Sequence, residues 1–204
     1  MSALVRTSKF IHDFREEIVA VGTLFIAAFT IILAAATAFL YFATRDLVRG
    51  ADKTAERQLR AYVHTAENTV TNISAGNGNV TFTIRIKNFG QTPAHKLSVL
   101  VAVELAPFPT DISTLTQPST ESLKNITLGP TAENTITMTR APFSQAEIAD
   151  MGTHRAVYIY GIIKYVDGFG EPRSTKFCLI KGGGNQYPLA GTDLFINNEG
   201  NEAT

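Results

Sequence analysis

Residues 80–88 read VTFTIRIKN, and this stretch decides the fold class. Its valine, phenylalanine and isoleucines alternate with threonine, arginine and lysine, which is the pattern of a strand with one buried face and one solvated face. Further runs of β-branched and aromatic residues at 95–105, 155–166 and 172–181 are bounded by turns rich in Gly, Pro and Asn. The pattern predicts an all-β, immunoglobulin-like sandwich of about seven strands, over residues 61–182.

The segments between the strands carry further predictions. Ser144 and Glu147 have the spacing of a capping box, which predicts one short helix. The Pro- and Thr-rich residues 106–122 are typical of a long loop, and residues 74–79, SAGNGN, are typical of a turn. A run of three glycines then leads into residues 183–204, which are predicted to form a polar C-terminal tail.

Residues 18–44, IVAVGTLFIAAFTIILAAATAFLYFAT, carry no charged side chain over 27 positions. About 20 apolar residues cross the ~30 Å hydrocarbon core of a bilayer as a helix, because each residue adds ~1.5 Å. The run therefore predicts a single transmembrane helix whose partner is the lipid bilayer. Residues 1–17 are then an N-terminal tail, and residues 45–60 form an amphipathic stalk helix with apolar positions at helical spacing.

Two other kinds of protein begin with an apolar helix. A cleaved signal peptide has an apolar region of ~7–15 residues, and this run is nearly twice as long. A pilin-type helix follows a processing site, for which the Gly-Thr-Leu-Phe sequence beginning at Gly22 is the candidate. That sequence lies inside the apolar run and lacks the acidic residue expected shortly after it. A membrane anchor is therefore the favoured interpretation.

The orientation of the anchor follows from its flanking cations, because Lys and Arg near a membrane helix prefer the cytoplasmic side. The N-terminal flank carries three cations, namely Arg6, Lys9 and Arg15. The C-terminal flank carries five, namely Arg45, Arg49, Lys53, Arg57 and Arg60. The difference of two charges favours a cytoplasmic C-terminal domain over a periplasmic one.

Small residues recur on one face of the predicted membrane helix, at spacings of four and three. They are Thr23, Ala27, Thr30, Ala34 and Thr37. Such a stripe lets two membrane helices approach closely, and threonine hydroxyls can form hydrogen bonds across the gap. The stripe predicts a homodimer or a partner membrane helix. The alternative is that each threonine bonds to the backbone of its own helix.

Composition and motifs argue against several functional classes. Lys and Arg number 18 and so do Asp and Glu, and this balance excludes a strongly basic nucleic-acid-binding protein. One cysteine and four histidines without metal-ligand spacing predict no metal site. No nucleophile motif or phosphate-binding loop occurs, so we expect no catalytic residue and no cofactor.

Two features are candidates for a partner surface. Tyr158 and Tyr160 share one face of the long strand at 155–166, where both faces are apolar. They belong either to the core of a strand covered on both sides or to an exposed aromatic patch. The turn that contains Asp167, Phe169 and Arg173 is the second candidate, because binding residues favour loops on a rigid scaffold.

Two motifs resemble a group of uncharacterised bacterial single-pass membrane proteins with a C-terminal immunoglobulin-like sandwich. The first is Asn-x-Gly-x-Thr-Pro-Ala, which spans Asn88 to Ala94. The second is Tyr-x-Asp-x-Phe-Gly followed by Thr-x-Phe-Cys, which spans Tyr165 to Cys178. The resemblance implies the bacterial inner membrane and the order helix, stalk and sandwich, and it implies no activity.

The sequence therefore predicts a membrane-anchored, non-catalytic interaction or structural module with an unknown protein partner. The alternative is a periplasm-facing sensor or ligand-binding domain, which requires the opposite topology and a polar pocket.

Overall fold

The computed structural model describes the backbone of residues 2–73 and 78–204, and the side chains within this part from residue 18 onward. Most of the predicted turn at 74–79 lies outside the described residues. The chain divides into two compact units, Met1–Ala55 and Glu56–Thr204.

The first long element is the helix α1, Ser2–Leu59, which contains 58 residues. It begins within the predicted tail and continues through the predicted stalk. Its side chains from Ile18 onward are almost all exposed, although this part has an 18-residue window with a mean hydropathy of 2.6. The helix is therefore long and apolar enough to cross a membrane.

The second unit is a sandwich of two antiparallel sheets. The smaller sheet has the order β1-β2-β5, with β1 at Val63–Thr71, β2 at Val80–Asn88 and β5 at Glu133–Arg140. The larger sheet contains β3 (Ala94–Pro107), β4 (Thr120–Leu128), β6 (Arg155–Val166), β7 (Pro172–Gly182), β8 (Phe195–Ile196) and β9 (Glu202–Ala203). Its order is β4-β3-β6-β7-β8, and β9 also pairs with β7.

This strand order confirms the predicted immunoglobulin-like sandwich. The chain crosses between the sheets after β2, after β4 and after β5. The fourth strand therefore lies beside β3 in the larger sheet, whereas a constant-type immunoglobulin domain places it in the other sheet. The seven long strands match the predicted number, and the two additional strands, β8 and β9, have two residues each. The predicted short helix is α2, Gln145–Met151, and both hydrogen bonds of its capping box are present.

The main core lies between the two sheets. The inward residues of β2 are Val80, Phe82, Ile84 and Ile86, and all four are completely buried. They pack with inward residues of the larger sheet that include Val99, Val101, Ile159 and Ile163. Burying each such side chain contributes about 1.5–3 kcal/mol, so the alternating pattern of β2 has a direct energetic basis.

A second, smaller core covers the outer face of the larger sheet, and it corrects the prediction of a polar tail. Residues 183–204, here called the strap, pack Tyr187 into this core against Tyr158 and Ile180. The strap also joins the edges of both sheets, because Leu194 N donates to Asn68 O while β8 pairs with β7. The strap therefore closes the side of the sandwich between β1 and β7.

Candidate functional site at the helix-entry end

The sandwich has one end, here called the helix-entry end, at which the chain arrives from α1 and begins β1. Since the strands are antiparallel, the turns β2–β3, β4–β5 and β6–β7 all lie at this end. The side chain of Tyr165, near the end of β6, is tied to the arriving chain. Its hydroxyl donates to Ala61 O at 3.4 Å and accepts from Val63 N at 3.4 Å.

Asn88 is the buried polar centre of this end. Its Oδ1 accepts hydrogen bonds from Tyr62 N at 3.1 Å and from Gly90 N at 2.9 Å. Its Nδ2 lies within hydrogen-bond distance of three carbonyl oxygens, those of Thr92 at 2.8 Å and of Leu128 and Gly129 at 3.2 Å each. One side chain thus joins the arriving chain to two turns, as expected for an asparagine in a turn.

Gly90, the glycine of the first motif, is not among the residues with positive φ. A Cβ at Gly90 would instead lie 2.1 Å from Arg60 O and 2.6 Å from Ala61 Cα. Glycine is required because the β2–β3 turn packs directly on the backbone of the arriving chain.

Asp167 organises the β6–β7 turn from inside. Its Oδ1 accepts from the N–H groups of Phe169 and Glu171, each at 3.0 Å, and its Oδ2 accepts from Arg173 Nε at 2.9 Å. Burial alone would raise the pKa of Asp167, but the hydrogen bonds from Arg173, Glu171 and Phe169 outweigh it and hold the pKa below its usual value. Gly170 in the same turn has a φ of +89°, in the left-handed region that favours glycine.

The sequence-predicted partner residues therefore separate into buried and exposed groups. Tyr158 and Tyr160 are buried under the strap and the β3–β4 loop, so the core interpretation is confirmed and the exposed aromatic patch is wrong. Asp167 is also buried, and Arg173 is engaged with it. Phe169, at the tip of the turn, is 44% exposed and is the clearest exposed candidate that remains.

Phe169 belongs to a group of exposed aromatic side chains that the sequence analysis missed. Phe89, at the tip of the β2–β3 turn, is 55% exposed, and Tyr62, just before β1, is 39% exposed. Apart from Leu59 and Ile196, these three are the exposed large apolar side chains among the described residues of the second unit. We call them the aromatic rim. Phenylalanine directly after Asn88, at a turn tip, was the sequence signal that could have found it.

Cations accompany the aromatic rim. The Arg60 guanidinium lies 5.9 Å from the centre of the Tyr62 ring, and Lys87 Nζ lies 5.8 Å from the centre of the Phe89 ring. Beside the rim, a cavity of about 390 Å³ is lined in part by Lys96, Lys164 and Arg173. The described part of the chain offers no salt bridge to Arg60, Lys96 or Lys164.

The opposite end of the sandwich has a different charge. Its loops, its short helix α2 and the strap carry exposed or half-exposed acidic residues, namely Asp111, Glu147, Asp150 and Glu199. Arg140 and Arg155 are the cations at the adjoining strand ends. The helix-entry end also carries Asp167, paired with Arg173, Glu133, paired with Lys87, and the exposed Glu171. Its cations Arg60, Lys96 and Lys164, which have no salt bridge within the described residues, outnumber the exposed Glu171, whereas acidic residues predominate at the opposite end.

Residues 18–180 match the family DUF8453, which is described as a domain of unknown function. The chain belongs to the DUF8453 family. No curated protein gives a significant match to it. The matched region of this DUF8453 protein includes the apolar part of α1 and the strands β1 to β6, and it ends within β7. The family thus combines the apolar helix with the sandwich, whereas the strap lies beyond the matched residues.

Two further potentially reactive side chains of this DUF8453 protein, Cys178 and Lys181, are buried inside the fold. Burial raises the pKa of the Cys178 thiol to about 12, so the thiol stays protonated at neutral pH. Lys181 is fully buried, and its Nζ donates to Ala190 O at 3.1 Å and to Asp193 O at 2.9 Å. Within the described residues, no group of three His, Cys, Asp or Glu side chains could hold a metal ion.

In the stripe of small residues on α1, the threonine hydroxyls form hydrogen bonds within the helix. The hydroxyls of Thr23, Thr30 and Thr37 donate to carbonyl oxygens four residues earlier, at 2.7–2.8 Å. Thr23, Ala27, Thr30, Ala34 and Thr37 are all exposed on the helix. The threonines therefore bond to their own backbone, as the alternative interpretation holds. Association of the DUF8453 helix through its small residues stays a prediction.

Proposed function

We propose that this DUF8453 protein is a non-catalytic interaction module, anchored by α1 as a single-pass protein of the bacterial inner membrane, with its sandwich in the cytoplasm. The apolar helix supports the anchor. The excess of cations after the helix supports the cytoplasmic side. The two sequence motifs at 88–94 and 165–178 support the bacterial assignment through their resemblance to bacterial membrane proteins.

The aromatic rim is the single observation that carries the interaction role. Large aromatic side chains that remain exposed on a folded domain are typical anchors for a binding partner. Phe89 and Phe169 stand on short turns whose backbones are held by the buried side chains of Asn88 and Asp167. The rim is therefore presented rigidly, which lowers the entropy that binding costs.

Two carboxylates near the aromatic rim are bonded to neighbouring side chains of the fold, and this supports a non-catalytic role. Asp167 is neutralised by Arg173, and Glu133 accepts a hydrogen bond from Lys87 at 2.8 Å. A general base or nucleophile needs a free lone pair close to its substrate. Both carboxylates instead hold neighbouring parts of the fold.

A ligand-binding or sensor domain is the second candidate, and a cavity of about 400 Å³ on the outer face of the larger sheet favours it. The lining includes Leu115, Tyr160 and Ile162, and the strap forms one side through Gly200. Its size suits a small molecule. The hydroxyl of Tyr160, however, already lies 2.6 Å from Thr116 O, to which it donates, and so is engaged within the protein.

Site-specific photo-crosslinking tests the proposed interaction role. The photoreactive residue p-benzoylphenylalanine would replace Phe89 or Phe169 in the full chain in native membranes. Ile196 is the matched control, because it is 59% exposed but lies on β8, opposite Leu179 and away from the helix-entry end. We expect adducts, with protein or with lipid, from both rim positions and none from position 196. Equal labelling at all three positions, or no adduct of either kind from the rim, would overturn the proposal.

A further inference from the structure

We infer that the aromatic rim docks on the headgroup region of the lipid bilayer in which α1 is anchored. The inference rests on the proposed function and names the partner of the same surface. Three independent features of the described residues support it: the position of the rim in the chain, the chemistry of its side chains and the distribution of charge over the sandwich.

The position of the rim brings it within reach of the membrane. Tyr62 follows the last residue of α1, Leu59, by three positions, and the turn that carries Phe89 packs on the backbone of Arg60. Arg60 follows Thr44, the end of the apolar run, by sixteen positions. As a helix, this tether is about 24 Å long. Of the sandwich surfaces, the helix-entry end is thus the one with the shortest connection to the bilayer.

The tether itself favours contact with anionic lipid. Its cations Arg45, Arg49, Lys53 and Arg57 recur every fourth residue. The acidic residues Asp46, Asp52 and Glu56 lie among them, so that residues 45–60, which include Arg60, have a net charge of +2. Lys and Arg near an anionic membrane surface are attracted to it. A tether that lies along the headgroups would bring Arg60 and the rim down to the same surface.

The side chains of the rim suit a membrane interface. Aromatic rings with a nearby polar or charged group are enriched where headgroups meet hydrocarbon, because the ring enters the apolar side and the charge stays with the phosphates. Arg60 supplies such a charge next to Tyr62, and Lys87, which also pairs with Glu133, lies next to Phe89. Lys96 and Lys164 add two cations beside the rim, against the one exposed carboxylate of Glu171, whereas the exposed acidic residues Asp111, Glu147 and Asp150 lie at the opposite end of the sandwich.

Tryptophan fluorescence gives a direct test, because the natural chain contains no tryptophan. Phe89→Trp and Phe169→Trp each place a single reporter on the rim, and Ile196→Trp places a matched exposed reporter elsewhere. The full-length variants would be reconstituted in nanodiscs of phosphatidylcholine and phosphatidylglycerol, with and without lipids brominated near the headgroup end of the acyl chains. We expect at least twofold quenching and a blue-shifted emission for both rim reporters, and no change for the Ile196→Trp reporter.

Charge reversal supplies a second measurement. Lys96→Glu with Lys164→Glu should reduce the quenching of the Phe169→Trp reporter, whereas Lys124→Glu with Lys176→Glu, an equal charge change at exposed positions on β4 and β7, should not. The inference would be overturned if the Phe89→Trp and Phe169→Trp reporters were quenched no more strongly than the Ile196→Trp reporter. If protein adducts from the rim nevertheless form in the crosslinking experiment, the proposed function stands with a protein as partner; if both signals are absent, both proposals fail.

Discussion

Arg173 donates from Nε to Oδ2 of Asp167 at 2.9 Å, and this ion pair holds the β6–β7 turn closed beneath the exposed ring of Phe169. The carboxylate is buried and has three hydrogen-bond donors around it, so it is part of the fold and not of a reactive site. The rigidity of the aromatic rim depends on this pair and on Asn88.

Asp167→Asn should destabilise the sandwich by about 2–3 kcal/mol, because it leaves Arg173 without its charged partner in a largely buried place. Chemical denaturation of the full chain in detergent, followed by the near-ultraviolet circular dichroism of its six tyrosines, measures this loss. Glu171→Gln removes an exposed carboxylate from the same turn and should cost less than about 0.5 kcal/mol. Equal effects of the two substitutions would contradict the role given to Asp167.

The ion pair of Asp167 with Arg173 predicts that the stability of the sandwich depends on pH. Because the pKa of Asp167 is lower in the folded state than the value of about 3.9 in an unfolded chain, the unfolded state takes up the proton first as pH falls. The stabilisation is complete above about pH 5 and is lost as pH falls through the folded pKa. Asp167→Asn should therefore lose less stability on acidification than the natural chain does. An equal loss of stability in both proteins would contradict this prediction.

Asn88→Ala should cost about 3 kcal/mol, because it leaves buried backbone groups of the arriving chain and of two turns without partners. Asn134→Ala is the matched control, since Asn134 is less buried and its side chain accepts only from the next residue, Thr135 N. Denaturation should separate the two variants by at least 2 kcal/mol. A similar stability for both would show that the Asn88 network contributes little.

The thiol of Cys178 should resist maleimide labelling at pH 8 in the folded chain, because its pKa is raised to about 12 and its side chain is buried. Thr137→Cys, at an exposed position of β5, provides a thiol that should be labelled at least 100-fold faster in the same protein. The unfolded thiol ionises first as pH rises, so this contribution to stability is present below about pH 9 and is lost between pH 9 and 12. Fast labelling of Cys178 at pH 8 would be evidence for an exposed thiol.

Lys181→Met should loosen the strap, because two carbonyl oxygens of the strap, those of Ala190 and Asp193, lose their donor. Hydrogen exchange of the Val70 and Leu194 amides, which bond across the junction between β1 and the strap, should accelerate about tenfold. Lys176→Met removes an exposed ion pair with Glu202 in the same strap and should leave these amides unchanged. Unchanged hydrogen exchange of these amides in Lys181→Met would show that the hydrogen bonds of Lys181 do not stabilise the strap.

The main fold could be predicted because it rests on long periodic patterns. The alternation in VTFTIRIKN places Val80, Phe82, Ile84 and Ile86 on one face, and the structure buries all four. The capping box of Ser144 and Glu147 is likewise a local signal, since the two residues satisfy each other within one turn.

The features that escaped prediction depend on residues far apart in the chain. The strap was assigned as a tail because its apolar residues, such as Tyr187 and Leu194, are separated by polar ones, and its strands of two residues are too short to show a period. The aromatic rim is equally non-local, since Tyr62, Phe89 and Phe169 come together only when the turns meet at one end of the sandwich. The strap has no signature within a short window, and Phe169 and the phenylalanine directly after Asn88 are local signals for only part of the rim.

We propose that α1 anchors the chain in the bacterial inner membrane and that the sandwich lies in the cytoplasm. A fluorescent protein and, separately, alkaline phosphatase joined through a flexible linker after Thr204 test both parts of this proposal in one experiment. We expect fluorescence that stays in the membrane fraction after an alkaline wash, without phosphatase activity. Phosphatase activity without fluorescence would place the sandwich in the periplasm, and fluorescence released by the wash would show that α1 does not span the membrane.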